Sequence, residues 1–221
     1  MLTKKIIKQY LMSKAKALIF ISGNGSNLQN IINNIHSGYI NMDIVAVVSD
    51  NPEANGLKKA KIAKIETIII DMSKDDLLNL SKVIDENLID IFILAGFMKI
   101  LPEEFINKYN GKILNIHPSL LPKYKGLNTH KKVLKSNDSM HGASVHFVTS
   151  KLDEGPIIIQ GKINVTDEDS EESLKKRVHE IEYQIYPIAI KWFTENHIKQ
   201  SGNKCLFNNE VLECPIEHLS E

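Results

Sequence analysis

The feature of this sequence that most restricts its fold is an alternation of short, largely apolar runs with amphipathic segments through the first half of the chain. The runs are four or five residues long and occupy residues 17–21, 44–48, 67–70, 91–95 and 112–116. Continuous apolar runs of this length are typical of parallel strands that are buried on both faces. The first half therefore predicts five strands of one sheet.

The segments between these runs carry apolar residues at helical spacing. Leu28, Ile31, Ile32 and Ile35 form one such stripe, which Gly38 closes. Further helices are predicted at residues 52–63 and 74–88, and a short one from Pro102. Strands that alternate with helices imply right-handed crossovers, so the sequence predicts an α/β fold with a mostly parallel twisted sheet flanked by helices.

The second half of the chain has a different pattern. Two β-rich runs at residues 143–148 and 156–165 are separated by a polar turn, which predicts an antiparallel extension of the sheet. Residues 170–197 form one long helical pattern with Ser170 as N-cap, and Pro187 predicts a kink or break within it. We expect a single domain over residues 16–221, preceded by an N-terminal extension over residues 1–15.

Composition and charge exclude several classes of protein. Lys and Arg total 27 and Asp and Glu total 27, so no overall basic field favours nucleic acid or an acidic membrane. The apolar runs are far shorter than the roughly 18 residues that span a bilayer. Cys205 and Cys214 show no CxxC spacing, and no histidines stand at metal-ligand intervals, so we expect no metal, two free thiols and a reducing, cytoplasmic location.

A glycine-rich turn follows the first predicted strand. Ligands of parallel sheets bind beyond the carboxyl ends of the strands, and Gly23, Gly25, Ser26 and Asn27 occupy that place. Their amides at the start of a helix suit a phosphate. The turn lacks the GxGxxG and GK[ST] patterns, which disfavours NAD and ATP. A plain tight turn is the equal alternative.

Polar residues at the end of the fifth strand form a second candidate site. Asn115 and His117 alternate, so their side chains lie on the same face. An amide donor and an imidazole can stabilise an oxyanion and move a proton, although such a pair also satisfies loop backbone groups in many proteins. Asp153, in the predicted hairpin connection, can pair with His117 and favour its protonated form; taken alone, it indicates a plain turn.

The remaining polar candidates have simpler interpretations. His141 and His146 lie in or beside a predicted strand and are interpreted as structural. Glu182, on the long helix, is by itself typical of a solvated charge.

Five motifs in order closely resemble the phosphoribosylglycinamide formyltransferase family. They are ISGNGSNL at residues 21–28, LAGFMKIL at 94–101, NIHPSLLP at 115–122, HGASVHF at 141–147 and LDEGP at 152–156. The resemblance extends from residue 17 to residue 193. It implies the formyltransferase fold, with a Rossmann-like sheet, and transfer of the formyl group of 10-formyltetrahydrofolate to the amine of glycinamide ribonucleotide in purine biosynthesis.

The resemblance also implies roles for individual residues. The catalytic residues would be Asn115, His117 and Asp153. Glycinamide ribonucleotide would contact Gly25, Ser26, Asn27, His179, Glu180, Ile181 and Glu182. The folate would contact Lys74, Met98, Lys99, Ile100, Leu101, Asn115, Thr149, Ser150, Lys151, Leu152 and Asp153. Two residues depart from the family pattern. The family has arginine at the position of Lys99, and some members have histidine at the position of Asn128. Both partners are small molecules, no metal is implied, and a homodimer is a compatible assembly.

Three other functions fit the sequence less well. Formyltetrahydrofolate hydrolase and methionyl-tRNA formyltransferase share the catalytic trio, but both are longer proteins than this chain of 221 residues. A non-catalytic folate- or phosphosugar-binding protein would not need Asn115, His117 and Asp153 together.

Overall fold

The computed structural model describes residues 14–71, 80 and 88–219. Eleven strands lie within these residues. Their bounds are β1 Ala15–Ile21, β2 Met42–Ser49, β3 Glu66–Ile69, β4 Ile91–Leu94, β5 Ile113–His117, β6 Met140–Phe147, β7 Ile157–Asn164, β8 Ile198–Ser201, β9 Lys204–Phe207, β10 Glu210–Val211 and β11 Ile216–Leu219. Strand β1 begins at Ala15, the last residue of the predicted extension.

Eight of these strands form one mixed sheet, in the order β11-β7-β6-β5-β4-β1-β2-β3. The five strands β1 to β5 are mutually parallel, while β6 pairs antiparallel with both β5 and β7. The predicted parallel sheet and its antiparallel extension are therefore both confirmed. Strand β11 adds a parallel edge against β7, which the sequence did not predict.

Five helices are described. They are α1 Ser26–His36, α2 Asn55–Ile62, α3 Glu103–Lys108, α4 Thr129–Leu134 and α5 Glu171–Thr194. The helix predicted at residues 74–88 lies almost entirely outside the described residues, and Lys74 lies outside them as well.

Two apolar cores cover the sheet. One contains α1 and α5 side chains such as Leu28 and Ile185, together with inward-facing strand residues. The other is aromatic, with Phe92, Phe105 and Tyr109 in contact, their ring centroids 4.4–5.3 Å apart. Burial on both faces explains why the strands of the parallel half read as continuous apolar runs.

Helix α5 passes through Pro187 without a break, so of the predicted kink or break the break does not occur. A proline inside a helix leaves the carbonyl four residues earlier without its usual N–H donor. In α5 this carbonyl belongs to Tyr183. The side-chain amide of Asn30, on α1, donates to that oxygen over 2.7 Å. This bond from a neighbouring helix supplies the missing partner, and Pro187 itself is buried.

The last part of the described chain forms a small second sheet of β8, β9 and β10. These strands are only two to four residues long, so they lack the apolar run of four or five residues that predicted the main strands. No helix within the described ranges is both long and apolar enough to cross a membrane.

Candidate active site

Strand β5 carries two polar side chains at its carboxyl end. Leu114 and Ile116 are buried in the apolar core, and the alternating residues Asn115 and His117 lie on the opposite face. Asn115 is half-buried, whereas His117 is only 6% exposed. A buried imidazole needs partners for both ring nitrogens, so its neighbours determine its chemistry.

Both ring nitrogens of His117 face acceptors. Nδ1 lies 3.4 Å from Oδ2 of Asp153, and both side chains are 7% exposed. Nε2 lies 3.0 Å from the backbone carbonyl oxygen of Tyr124. Because a carbonyl and a carboxylate only accept hydrogen bonds, the doubly protonated imidazolium satisfies both contacts at once.

The β6–β7 connection brings Asp153 to this position. Asp153 has a positive φ of 52°, and its Oδ2 also accepts a 2.8 Å hydrogen bond from the backbone N–H of Gly126. The turn then folds back so closely that a Cβ at Gly155 would lie 1.8 Å from the carbonyl oxygen of Phe147. Only glycine fits there, which explains this residue in the LDEGP motif.

His146, which the sequence interpretation took as structural, contacts the candidate site directly. It lies opposite Asn115 in the β5–β6 pair, and Nδ2 of Asn115 is 3.1 Å from its Nε2. Its Nδ1 donates to the carbonyl oxygen of Phe147 over 2.8 Å, and burial lowers the pKa of His146 to about 4. The ring is therefore neutral, and its Nε2 accepts one of the two Asn115 amide hydrogens.

The contact between His146 and Asn115 fixes the carboxamide and leaves its second N–H for another acceptor. Asp153 Oδ1 is 3.8 Å from His146 Nε2, but burial outweighs this attraction and keeps the ring uncharged. The register of β6 against β5 creates the Asn115–His146 pair, and that register cannot be read from a strand pattern alone.

Two further histidines lie behind the site. His130 Nδ1 and His141 Nε2 are 3.0 Å apart, and both rings are buried. Burial, the largest cause for each, lowers the pKa of both His130 and His141 to about 4. They are neutral at neutral pH, in keeping with the structural interpretation of His141.

The glycine-rich turn forms a second part of the site. Gly25 has φ of 65°, and a Cβ there would lie 2.5 Å from the Cα of Gly56, where α2 begins. The backbone N–H of Gly56 donates to the carbonyl oxygen of Gly23 over 3.0 Å. Within the described chain, no side chain caps α1, whose first turn, starting at Ser26, carries no acidic residue. Its first amides therefore present donors and the positive end of the helix dipole.

Helix α5 brings Glu182 to this turn. Asn27 Nδ2 donates to Glu182 Oε2 over 2.9 Å, and Glu182 is only 4% exposed. Burial raises the pKa of Glu182 to about 7, and the bond from Asn27 opposes the rise. The interpretation of Glu182 as a solvated charge is therefore wrong, because an amphipathic pattern does not show which neighbour covers a polar position.

The other α5 candidates lie on different sides of the helix. His179 is half-buried, three residues before Glu182, and so lies on the same side of the helix. Glu180 is exposed, and Ile181 is 2% exposed in the core, where a Cβ at Gly161 would lie 2.1 Å from its side chain. The side chain of Ile181 is thus committed to packing.

Apart from Asn115 on β5 and Lys74, which lies outside the described residues, the predicted folate residues lie in two loops. After β4, Met98 and Ile100 are 69% and 73% exposed, while Leu101 is buried. The backbone N–H of Met98 donates to Ser22 Oγ over 2.8 Å, which ties this loop to the end of β1. After β6, Leu152 is 54% exposed. Lys99, Ser150 and Lys151 are exposed beside these residues, and Thr149 is half-buried.

No group of three or more His, Cys, Asp or Glu side chains in the described ranges is arranged to hold a metal ion. The site consists of the Asn115 amide and the His117 imidazole on one face of β5, with the Asp153 carboxylate 3.4 Å from the imidazole. Such groups can stabilise charge on oxygen and relay a proton.

Comparison with known proteins agrees with this geometry. The formyl transferase family matches residues 15–190. Phosphoribosylglycinamide formyltransferase of Haemophilus influenzae is 43% identical over 202 residues, which cover 89% of this chain and 95% of that protein. The protein of the same name from Escherichia coli is 43% identical over 200 residues, covering 88% and 94%.

A solved structure gives the same result. Phosphoribosylglycinamide formyltransferase of Coxiella burnetii, in complex with CHES, superposes with a TM-score of 0.87 at 40% identity. The match covers 93% of this chain and 99% of that one. The chain therefore shares both sequence and architecture with these proteins over nearly its whole length.

Proposed function

The chain belongs to the formyl transferase family, and we propose that it transfers the formyl group of 10-formyltetrahydrofolate to the amine of glycinamide ribonucleotide. It is an enzyme of purine biosynthesis, as are the relatives that share its sequence over most of their length. Both reactants are small molecules, and the folate acts as a co-substrate.

The reaction replaces the bond between the formyl carbon and folate N10 by a bond between that carbon and the acceptor amine. The neutral amine of the acceptor attacks the formyl carbon, and the electron pair of the carbonyl moves to oxygen. The tetrahedral intermediate then collapses, the bond from carbon to folate N10 breaks, and one proton passes from the attacking amine to N10. The enzyme must therefore stabilise a transient oxyanion and move a single proton.

Asn115, His117 and Asp153 suit these two tasks. The Asn115 N–H that His146 leaves unused can donate to the oxyanion, and the imidazolium form of His117 places a positive charge beside it. Asp153 Oδ2, 3.4 Å from His117 Nδ1, can accept the hydrogen bond of that imidazolium. Because both ring nitrogens face acceptors, proton transfer through His117 requires one of these contacts to open, or it runs through water.

The other residues would hold the substrates. The uncapped amides of residues 25–27 suit the phosphate of glycinamide ribonucleotide, and Glu182 and His179 suit its other polar groups. The exposed side chains of Met98, Ile100 and Leu152 suit the flat ring of the folate. Anchoring the phosphate far from the amine lets binding energy orient the amine for attack.

The observation that carries the proposal is the position of His117 between two acceptors beside the amide of Asn115. The test mixes purified protein with glycinamide ribonucleotide and 10-formyltetrahydrofolate and follows the folate absorbance. We expect turnover that requires glycinamide ribonucleotide. Consumption of the formyl folate without that requirement would instead identify a formyltetrahydrofolate hydrolase.

We also infer a cytoplasmic location. Support comes from Cys205 and Cys214, which are free thiols in the structure and suit a reducing compartment. A homodimer is compatible with the proposal, because each copy contains the complete set of proposed site residues in its own chain.

A further inference from the structure

We propose that Tyr124, anchored by Asp138 and Lys123, is a positioning residue that holds the His117 ring in its reactive orientation. The proposal rests on the proposed function of His117. It concerns the loop between β5 and α4, none of whose residues is among the predicted substrate contacts. Three features carry it: the backbone of Tyr124, the bonds of its hydroxyl, and the link from the same loop to Asp153.

The backbone of Tyr124 is in a conformation that aromatic residues rarely adopt. Its φ is 58°, in the left-handed region that favours glycine and asparagine. The Tyr124 carbonyl oxygen lies 3.0 Å from His117 Nε2 and accepts its N–H. A strained residue of this kind persists only where its surroundings hold it, and such residues are concentrated at functional sites.

The side chain of Tyr124 is held at its far end. Its hydroxyl lies 2.7 Å from Asp138 Oδ2 and 2.8 Å from Ser136 Oγ. Lys123 Nζ donates to both carboxylate oxygens of Asp138, over 2.9 and 2.8 Å. Hydrogen bonds from Lys123 and Tyr124 lower the pKa of Asp138, so the anchor remains ionised at neutral pH.

The second acceptor of His117 depends on the same loop. Asp153 Oδ2 accepts the backbone N–H of Gly126 over 2.8 Å, two residues after Tyr124. The loop thus sets both the carbonyl at Nε2 and the carboxylate at Nδ1. A shift of the loop would move both acceptors, and small misplacements of catalytic groups cost rate steeply.

Stability alone does not explain this arrangement. The Lys123 and Asp138 side chains are 63% and 30% exposed, and ion pairs at such sites contribute little to folding. The specific effect of the Lys123–Asp138 ion pair is that it fixes the position of the Tyr124 backbone. Among residues 14–71, 80 and 88–219, the other titratable groups that face His117 are Asp153 and the neutral histidines His130, His141 and His146.

The test compares two variants with two matched controls. Tyr124→Phe removes the hydroxyl and keeps the ring, and Asp138→Asn removes the charge of the anchor. Tyr39→Phe is the control for the first, since Tyr39 is exposed and packs under Lys191. Asp43→Asn is the control for the second, since Asp43 forms an exposed 2.8 Å ion pair with Lys14 at the opposite end of the strands.

We expect kcat to fall about tenfold in Tyr124→Phe and Asp138→Asn, with KM for both substrates within about twofold. The pH–rate profile should change in the same way in both variants. The double variant should lose no more than the worse single one, because the two residues act on one carbonyl. The controls should keep wild-type kcat and pH profile.

A kcat and pH profile unchanged in both variants would overturn the proposal. A rise in KM at constant kcat would also overturn it, because the loop would then act in substrate binding. The ring ¹⁵N signals of His117 supply a readout without turnover: both variants should change the Nε2 signal. If the wild-type protein formylates no glycinamide ribonucleotide yet these signals change, the proposed function fails and the positioning role stands; unchanged signals overturn the positioning role.

Discussion

Replacement of Asn115 by alanine tests the oxyanion role most simply. The variant removes the carboxamide whose second N–H we propose donates to the reacting oxygen. The first N–H is donated to His146, so a single donor to the oxyanion is lost. Deleting one such donor lowers kcat by about 10²- to 10³-fold, and we expect a loss in this range with little change in KM.

The same variant has a cost in stability that the structure also predicts. Without Asn115, the Nε2 acceptor of the buried His146 ring has no donor from that side chain. An unsatisfied buried acceptor costs about 1–3 kcal/mol, and for a chain of this size each kcal/mol lowers Tm by roughly 2–4 °C. The expected Tm decrease is therefore several degrees, far too small to cause the loss of kcat by unfolding at 25 °C.

Steady-state kinetics and thermal denaturation of the same preparation measure both effects. Asn208→Gly is the matched control, because Asn208 contacts His197 over 2.7 Å in an exposed turn and glycine accepts its φ of 52°. The control should keep wild-type kcat. A change confined to KM in Asn115→Ala, or a kcat within threefold of wild type, would refute the oxyanion role.

Three further predictions follow from the site. In Asp153→Asn, kcat should fall, because the neutral amide no longer supplies the carboxylate that lies 3.4 Å from His117 Nδ1; an unchanged kcat would contradict a catalytic role for Asp153. Phosphate should bind at the amides of residues 25–27 in crystals grown from phosphate. Phosphate density found only at other places would indicate that this turn has a structural role. Because burial raises the pKa of Glu182 from 4.5 to about 7, its favourable contribution to folding is complete below pH 4.5 and lost as pH rises to about 7. The stability of wild type relative to Glu182→Gln should fall by about 3 kcal/mol across that interval, and parallel denaturation curves would contradict the burial argument.

Much of the fold could be predicted because its strands are buried on both faces. The apolar runs that became β1, β2 and β4 needed no partner information to be recognised. Pro187 shows the limit of local rules, since the donor that satisfies the freed Tyr183 carbonyl is Asn30, more than 150 residues away in sequence. The short strands β8 to β11 carry too little apolar surface to produce a pattern.

The candidate site also contains residues that a local pattern predicts and residues that depend on contacts distant in sequence. Alternation along one strand was enough to predict that Asn115 and His117 share a face. The local pattern offered Asp153 as a partner of His117 with a plain turn as the alternative, whereas only the resemblance to a known family pointed to Glu182. His146 was missed, because its role comes from cross-strand register and from a burial that makes it neutral.

The central claim is that this site moves a formyl group from folate to an amine. Its most direct test supplies 10-formyltetrahydrofolate with ¹³C in the formyl carbon, together with glycinamide ribonucleotide, and locates the label by mass spectrometry. We predict label on the acceptor amine in an amount equal to the tetrahydrofolate released, with about 10²-fold or greater loss of rate in Asn115→Ala. Label recovered as free formate, with the acceptor unlabelled, would contradict the claim.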